Sequence, residues 1–420
     1  LANDEANADT YVIKSVLALT NGKNRKKEEF NIVAEIKDPK NMEAADLVGN
    51  NETVFVLLSD LISRITAQTC RQSGLSVVYS EILQFEGDEI YFQSEPKLTG
   101  RTYKDVVFSY ENSAVLGILT KGEEALINPS MDTVFNVGDR VIAISEDDDT
   151  IKLSGKKTFD IKEALFNRVS QTYATVEKTL ILGWNERGSR IIEELDNYVA
   201  TGSSVTILAE GDTIADEVKE LSASLEKQKI SFLTGDINDK ATLVSLKTET
   251  FDHIILLSYK DIDVQESDAK TLICLLHLRN LSELANKDYS IVSEMLDIRN
   301  RDLGVVAKAD DFIVSDNLIS LMLSQLSENK DLKKVYDILF EAEGSEIYLK
   351  PVSHYVKTGQ PVNFYTVLES AAQLGETAIG YRISSLSADS DKHFGVNINP
   401  TKSSTITYNE EDFIIVVAED

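Results

Sequence analysis

The second half of this chain repeats its first. Ile32-Val-Ala-Glu35 returns as Ile291-Val-Ser-Glu294, and Asp9 stands to Glu35 as Asp268 stands to Glu294. Gly87-Asp-Glu-Ile-Tyr-Phe92 returns as Gly344-Ser-Glu-Ile-Tyr-Leu349, and Asn128-Pro129 as Asn399-Pro400. Matches that keep their order and spacing over such a length mark one unit used twice. They do not mark a solenoid, whose periods are about 20–50 residues.

The copies are unequal. The stretch from Lys178 to Glu266 has no counterpart in the first copy. It opens with an apolar run, Lys178-Thr-Leu-Ile-Leu182, then a glycine turn, then residues at helical spacing from Ser189 to Val199. Alternating strands and helices predict βαβ units and a parallel sheet. The expected fold is α/β, with tandem Rossmann-like domains each followed by a small α+β lobe. The first Rossmann half is expected to be truncated, and because the chain opens on Leu1 it reads as a fragment of a longer protein.

The domains expected from this pattern run as follows. Residues 1–75 form the end of the first nucleotide-type fold, 76–150 the first lobe and 151–177 a linker. Residues 178–335 form the second nucleotide-type fold and 336–420 the second lobe. In the second fold, strands are expected at 179–182, 205–209, 230–234, 253–258, 290–294 and 311–314, closed by a helix at 316–327. In the first copy, a helix near 61–72 would be capped by Ser59 or Asp60.

Charge narrows the function. The 420 residues carry 70 acids against 42 bases, a net charge of −28. Nucleic acid is disfavoured as a partner, since phosphate contacts need Lys and Arg surfaces. Divalent cations are compatible. No apolar run is long enough to span a bilayer. Cys70 and Cys274 lie in apolar helical contexts and read as buried thiols. The four histidines are scattered, with no zinc-type pairing. No nucleophile elbow or P-loop is present, and no enzyme activity is expected.

Two constellations could bind a ligand. A dinucleotide fingerprint needs three glycines, so that backbone can approach pyrophosphate and the helix can pack closely. Here Gly183-Trp-Asn-Glu-Arg-Gly188 keeps the first and last, Gly183 and Gly188, but has Asn185 in the middle. Glu186 adds an anion where phosphate would lie, and Glu210 ends the second strand, where an acid would meet a ribose. A nucleotide fold that has lost its NAD is the better reading. The second constellation is the repeated acids. Asp268 follows the fourth strand and Glu294 ends the fifth, on the sheet edge where such folds bind ligands, and Asp9 and Glu35 match them in the first copy. Hard cations such as Ca²⁺ take six to eight oxygens. Asp297, Asp263 and Asp38 are nearby further acids. On the sequence alone the plainer account is preferred, with Asp268 capping its helix and Glu294 in a salt bridge.

A nucleotide fold followed by a small lobe, given twice, resembles the regulator-of-K⁺-conductance (RCK) module of ion channels. More narrowly, several segments resemble the Castor and Pollux channels and their microbial relatives. These are Glu177 to Gly188, Glu194-Leu-Asp-Asn-Tyr-Val199, Arg71 to Tyr79, Ile291-Val-Ser-Glu294 and Ala378-Ile-Gly-Tyr-Arg382. The resemblance implies a cytosolic gating ring, a homotetramer beneath a transmembrane pore domain of the same chain, with Ca²⁺ as the usual ligand. A bacterial plasma membrane or a eukaryotic nuclear envelope would each fit. In calcium-gated relatives one acid precedes the crossover helix and another ends the next strand, which match Asp268 and Glu294, and Asp9 and Glu35. The family's third acid falls on Leu296 and on Lys37, a departure from the pattern. The repeat and the resemblance together favour Ca²⁺ in the ring. The alternative is a regulatory subunit of a cation transporter, or an oxidoreductase, that binds NAD(H).

Overall fold

The computed structural model describes residues 8–419 apart from 24, 51, 86, 168–174, 212, 260–261, 288, 301–302, 305–310 and 342–343. The chain divides into two compact units, each built from two separate segments. Leu1–Arg71 joins Val176–Lys333, and Gln72–Thr175 joins Lys334–Asp420. Like parts of the two copies are therefore grouped: the nucleotide-type parts in one unit, the lobes in the other.

The first unit holds a six-stranded sheet, parallel throughout. Its order across the sheet is Asp311–Val314, Ser290–Met295, His253–Leu256, Lys178–Leu182, Ser203–Ala209 and Gln228–Thr234. The first strand in sequence lies at the centre and the chain winds outward on both sides, which is the doubly wound order. Five of the six strands are rich in β-branched residues or leucine and are mostly buried, as a sheet covered on both faces requires. The first copy contributes a parallel pair, Ile32–Glu35 with Thr53–Val56, behind the helix Ala8–Asn21.

The two copies exchange their closing helices. Leu58–Arg71 packs on three strands of the second copy's sheet and on the helix Gly188–Tyr198. Ser315–Glu328 packs in turn on the strand Ile32–Glu35 and on Leu58–Arg71. Leu58, Ile62, Ile65 and Cys70 carry the buried face of the first of these helices. The helix begins at Leu58, so Ser59 and Asp60 lie inside its first turn and do not precede it. Asp60 instead receives Arg64 at 2.9 Å and Arg190 of the neighbouring helix. At the helix end Arg71 meets Glu177 at 3.0 Å. Cys70 and Cys274 are free buried thiols, their pKa values raised by desolvation.

The second unit contains two four-stranded antiparallel sheets of equivalent order. One runs Glu89–Ser94, Arg140–Ser145, Ala114–Leu119, Ala125–Ile127, and the other Glu346–Pro351, Phe413–Ala418, Thr377–Arg382, Val396–Ile398. Even the irregularities repeat: a register shift falls at Val115/Gly117 in one and Ala378/Gly380 in the other. A Cβ at Gly117 would sit 2.1 Å from the Leu126 carbonyl oxygen, and one at Gly380 2.4 Å from that of Asn397, so only glycine fits either bulge. The lobes share one core that includes Tyr103, Val115, Tyr355, Tyr365 and Val416. Asn128 and Asn399 both adopt positive φ, and each donates from Nδ2 to the other lobe. Asn128 bonds the Gly375 carbonyl at 3.1 Å, and Asn399 that of Asn112 at 2.9 Å. Of the expected linker, Leu153, Phe159, Ile161 and Leu165 pack against this core, while 168–174 lie outside the described residues.

Candidate functional site: the glycine turn and the repeated acids

The strand Lys178–Leu182 delivers the glycine turn to the C-terminal edge of the six-stranded sheet. Gly183 has φ +85°, and a Cβ there would lie 2.6 Å from the Leu257 carbonyl oxygen. The next strand crowds the turn, so the first glycine is a packing requirement whatever the ligand. At Gly188 a Cβ would meet the Trp184 ring at 2.6 Å. Trp184 lies against the start of the helix, its Nε1 donating to Glu217 at 3.0 Å.

Asn185, in place of the middle glycine, organises the turn. Its Oδ1 accepts from the Arg187 backbone N–H at 3.0 Å, and its carbonyl from Gly188 N–H at 3.0 Å. Its Nδ2 donates to the Ser258 carbonyl at 3.0 Å and to Glu294 Oε2 at 2.9 Å. Glu294 is 3% exposed. Besides Asn185 it accepts from Ser258 N–H at 3.1 Å, Ser258 Oγ at 2.9 Å and Ser315 Oγ at 2.8 Å, and it forms an ion pair with the Arg187 guanidinium. Glu210 is exposed just beyond its strand end.

Asp268 lies in the second turn of the helix Val264–Ala285 and does not cap it; the cap is Asp263, which accepts from Gln265 N–H at 2.9 Å. Asp268 is buried and clamps the loop after the fifth strand. It accepts from Leu296 N–H at 3.0 Å, Asp297 N–H at 3.1 Å and Asn300 Nδ2 at 2.7 Å. Asp9 makes the same clamp in the first copy, with Lys37 N–H at 2.9 Å, Asp38 N–H at 2.9 Å and Asn41 Nδ2 at 2.8 Å. Burial pushes the Asp9 carboxyl up, but these hydrogen bonds outweigh it and hold its pKa below the usual range. What repeats is an aspartate, two backbone amides and an asparagine, and the asparagines Asn41 and Asn300 are the part that sequence reading missed. Their signal was present, since they too fall at matching places in the repeat.

Glu35 lies half-buried at its strand end. Burial raises its pKa; Lys37 opposes that and Asp9 adds to it. Asp38 caps the short turn Pro39–Asn41. Asp297 is bound by Arg299 and by Gln265 Nε2 at 2.7 Å, contacts that hold its carboxyl well below the usual range. Asp297 also lines an open groove with Val264, Arg299, Asp316, Asn317 and Ser320. Among the described residues no group of three or more His, Cys, Asp or Glu side chains is arranged to hold a metal ion. The repeated acids are thus brought to one sheet edge per copy, where Asp9, Asp268 and Glu294 are each engaged by protein donors.

The fold and this edge define a tandem, Rossmann-like α/β protein. Residues 179–315, which contain the glycine turn and both acids of the second copy, match the TrkA-N domain family. Residues 59–162 match a second family, described as Castor and Pollux, part of voltage-gated ion channel. The particular relatives agree. The chain is 28% identical to "Probable ion channel POLLUX" of Arabidopsis thaliana, covering 98% of this chain and 53% of that protein. It is 29% identical to "Probable ion channel SYM8" of Pisum sativum over 100% of this chain and 50% of the relative. For "Ion channel CASTOR" of Lotus japonicus the figures are 26%, 98% and 51%. The resemblance to Castor and Pollux channels therefore extends over essentially the whole chain, and the chain spans about half the length of these relatives. Among solved structures, the GsuK RCK domain aligns with 98% of this chain and 76% of its own at 15% identity and a TM-score of 0.40. The GsuK channel bound to NAD aligns with 98% and 63%, at 15% identity and a TM-score of 0.40. Among the described residues no helix is long and apolar enough to cross a membrane.

Proposed function

We propose that this chain is the ligand-sensing gating ring of a cation channel, assembled from four copies at the cytosolic face of a membrane. In this reading it binds Ca²⁺ and transmits a change of shape to a pore. The observation that carries it is the end-to-end similarity to proteins named ion channels. The net charge of −28 supports a cationic ligand, since an acidic surface repels itself until cations bind.

The sheet edge supports one location better than the others. Asp9, Asp268 and Glu294 are buried among their protein donors, and a cation would have to break those contacts first, whereas Asp297 is held at the surface by the exposed Arg299 and by Gln265. The groove holding Asp297 and Asp316 is open, and Asn317 and Ser320 add neutral oxygens. Ca²⁺ in this groove displaces Arg299 from Asp297 and pulls on the loop that Asp268 clamps. A ligand moves a conformational equilibrium only by its differential affinity for the two states. A shift from 1:99 to 99:1 takes about 5.5 kcal/mol, which over four sites is roughly 1.4 kcal/mol each. Weak, partly hydrated sites suffice.

Calorimetric titration of chelator-treated protein with Ca²⁺, with Mg²⁺ as control, tests the reading. Saturable Ca²⁺ heat, absent with Mg²⁺ and lost in Asp297→Asn, supports it. Absence of Ca²⁺ binding from micromolar to millimolar concentration overturns the Ca²⁺ assignment. A monomer by light scattering overturns the ring.

A further inference from the structure

The glycine turn of the six-stranded sheet is built as an anion site, and the anion in it belongs to the chain. We infer that Glu294 takes the role a phosphate plays in a dinucleotide-binding fold, so that this copy excludes dinucleotides and accepts a small oxyanion only when that carboxylate is removed.

Four features carry this. Donors from three separate elements converge on Glu294: Asn185 and Arg187 from the turn, Ser258 from the neighbouring strand end, and Ser315 from the start of a helix. Such a set suits an oxyanion with several lone pairs. Second, two amides at the start of the helix, where a phosphate would be received, are already spent, because Arg187 N–H and Gly188 N–H both donate to Asn185. Third, Asn185 stands where the fold needs a bare glycine for a phosphate to approach the backbone, and the Trp184 ring fills the space beside Gly188. Fourth, Arg187 is 9% exposed, and its Nε is buried without a partner among the described residues. A guanidinium this buried needs an anion beside it, and a tetrahedral oxyanion has an oxygen to spare for that Nε. A pyrophosphate arriving beside ionised Glu294 would instead set like charges together in a poorly solvated site.

Two measurements on the whole chain decide the matter. NADH fluorescence titration of the wild-type protein should show no saturable change, and saturable binding overturns the inference. Thermal unfolding of Glu294→Ala is then followed in inorganic phosphate and in chloride of equal ionic strength. Removing one partner of a buried pair should shift the folding equilibrium on the order of 100-fold or more. Phosphate should restore much of that loss in a dose-dependent way while leaving the wild type unmoved. A loss that phosphate does not reverse, or equal stabilisation of both proteins, overturns it. Should Glu294→Ala fail to fold, Glu294→Gln removes the charge and keeps the shape, and the same comparison with wild type decides. The double variant Arg187→Met, Glu294→Gln should lose the phosphate response.

Discussion

At the scale of single residues, the chain's buried acids act as internal fasteners. Glu177 sits where the helix Leu58–Arg71 of the first copy meets the second copy's first strand, bound by Arg71 at 3.0 Å and by His253 at 3.3 Å. Burial raises its pKa, but the His253 and Arg71 contacts outweigh it and bring it down to about 2. A carboxyl depressed in the folded state stabilises the fold above its unfolded pKa. That stability is lost as pH falls from about 4.5 towards 2. The wild type should therefore lose up to about 3 kcal/mol through this group over that window, and Glu177→Gln should flatten the acid limb. Urea unfolding at stepped pH measures both. The residue chemistry of the turn was half legible. Asn185 and Glu294 were each visible as polar groups at a sheet edge, but nothing local ties Glu294 to an arginine more than a hundred residues earlier. The combination of Asn for the middle glycine and Arg one residue before the last was the available signal, because it adds donors where a phosphate site needs bare backbone.

At the scale of elements, strands were read most accurately. A buried parallel strand declares itself as a short apolar run between turn residues, and 311–314 was placed to the residue. Helix starts were read less well. The helix expected from about residue 61 begins at Leu58, which is buried in its first turn. Periodicity shows that a helix has an apolar face and is silent on what covers it, so the exchange of closing helices between copies could not be read. That exchange predicts where damage will show. Ile65 is a fully buried residue of the exchanged helix. Ile65→Ala should cost about 2–5 kcal/mol, seen as a lower denaturant midpoint. Hydrogen exchange should quicken in the strand Ser290–Met295 as well as in the helix itself, because helix and strand are packed together.

At the scale of the whole molecule, order along the chain and order in space differ. The repeat made two successive nucleotide-fold-plus-lobe modules the natural division. The structure instead joins each segment to its counterpart from the other copy. The physical cause is the apolar faces: a lobe whose buried surface matches its twin's covers both by pairing with it, as the shared core around Tyr103, Tyr355 and Tyr365 shows. A chain ended after Lys333 should accordingly keep its parallel-sheet unit and leave residues 72–175 unable to fold alone. Limited proteolysis should then cut within 72–175 first, while the intact chain resists there.

The seam between the lobes has a genetic consequence. In a symmetric homodimer one codon change alters both sides of an interface at once. Here the equivalent asparagines, Asn128 and Asn399, are separate codons, and they have already drifted in company: the first also receives the Thr377 hydroxyl, the second also reaches the Asp88 carboxylate. A duplication fixed in one chain has thus freed each half of a once identical contact to be altered, tested and kept on its own.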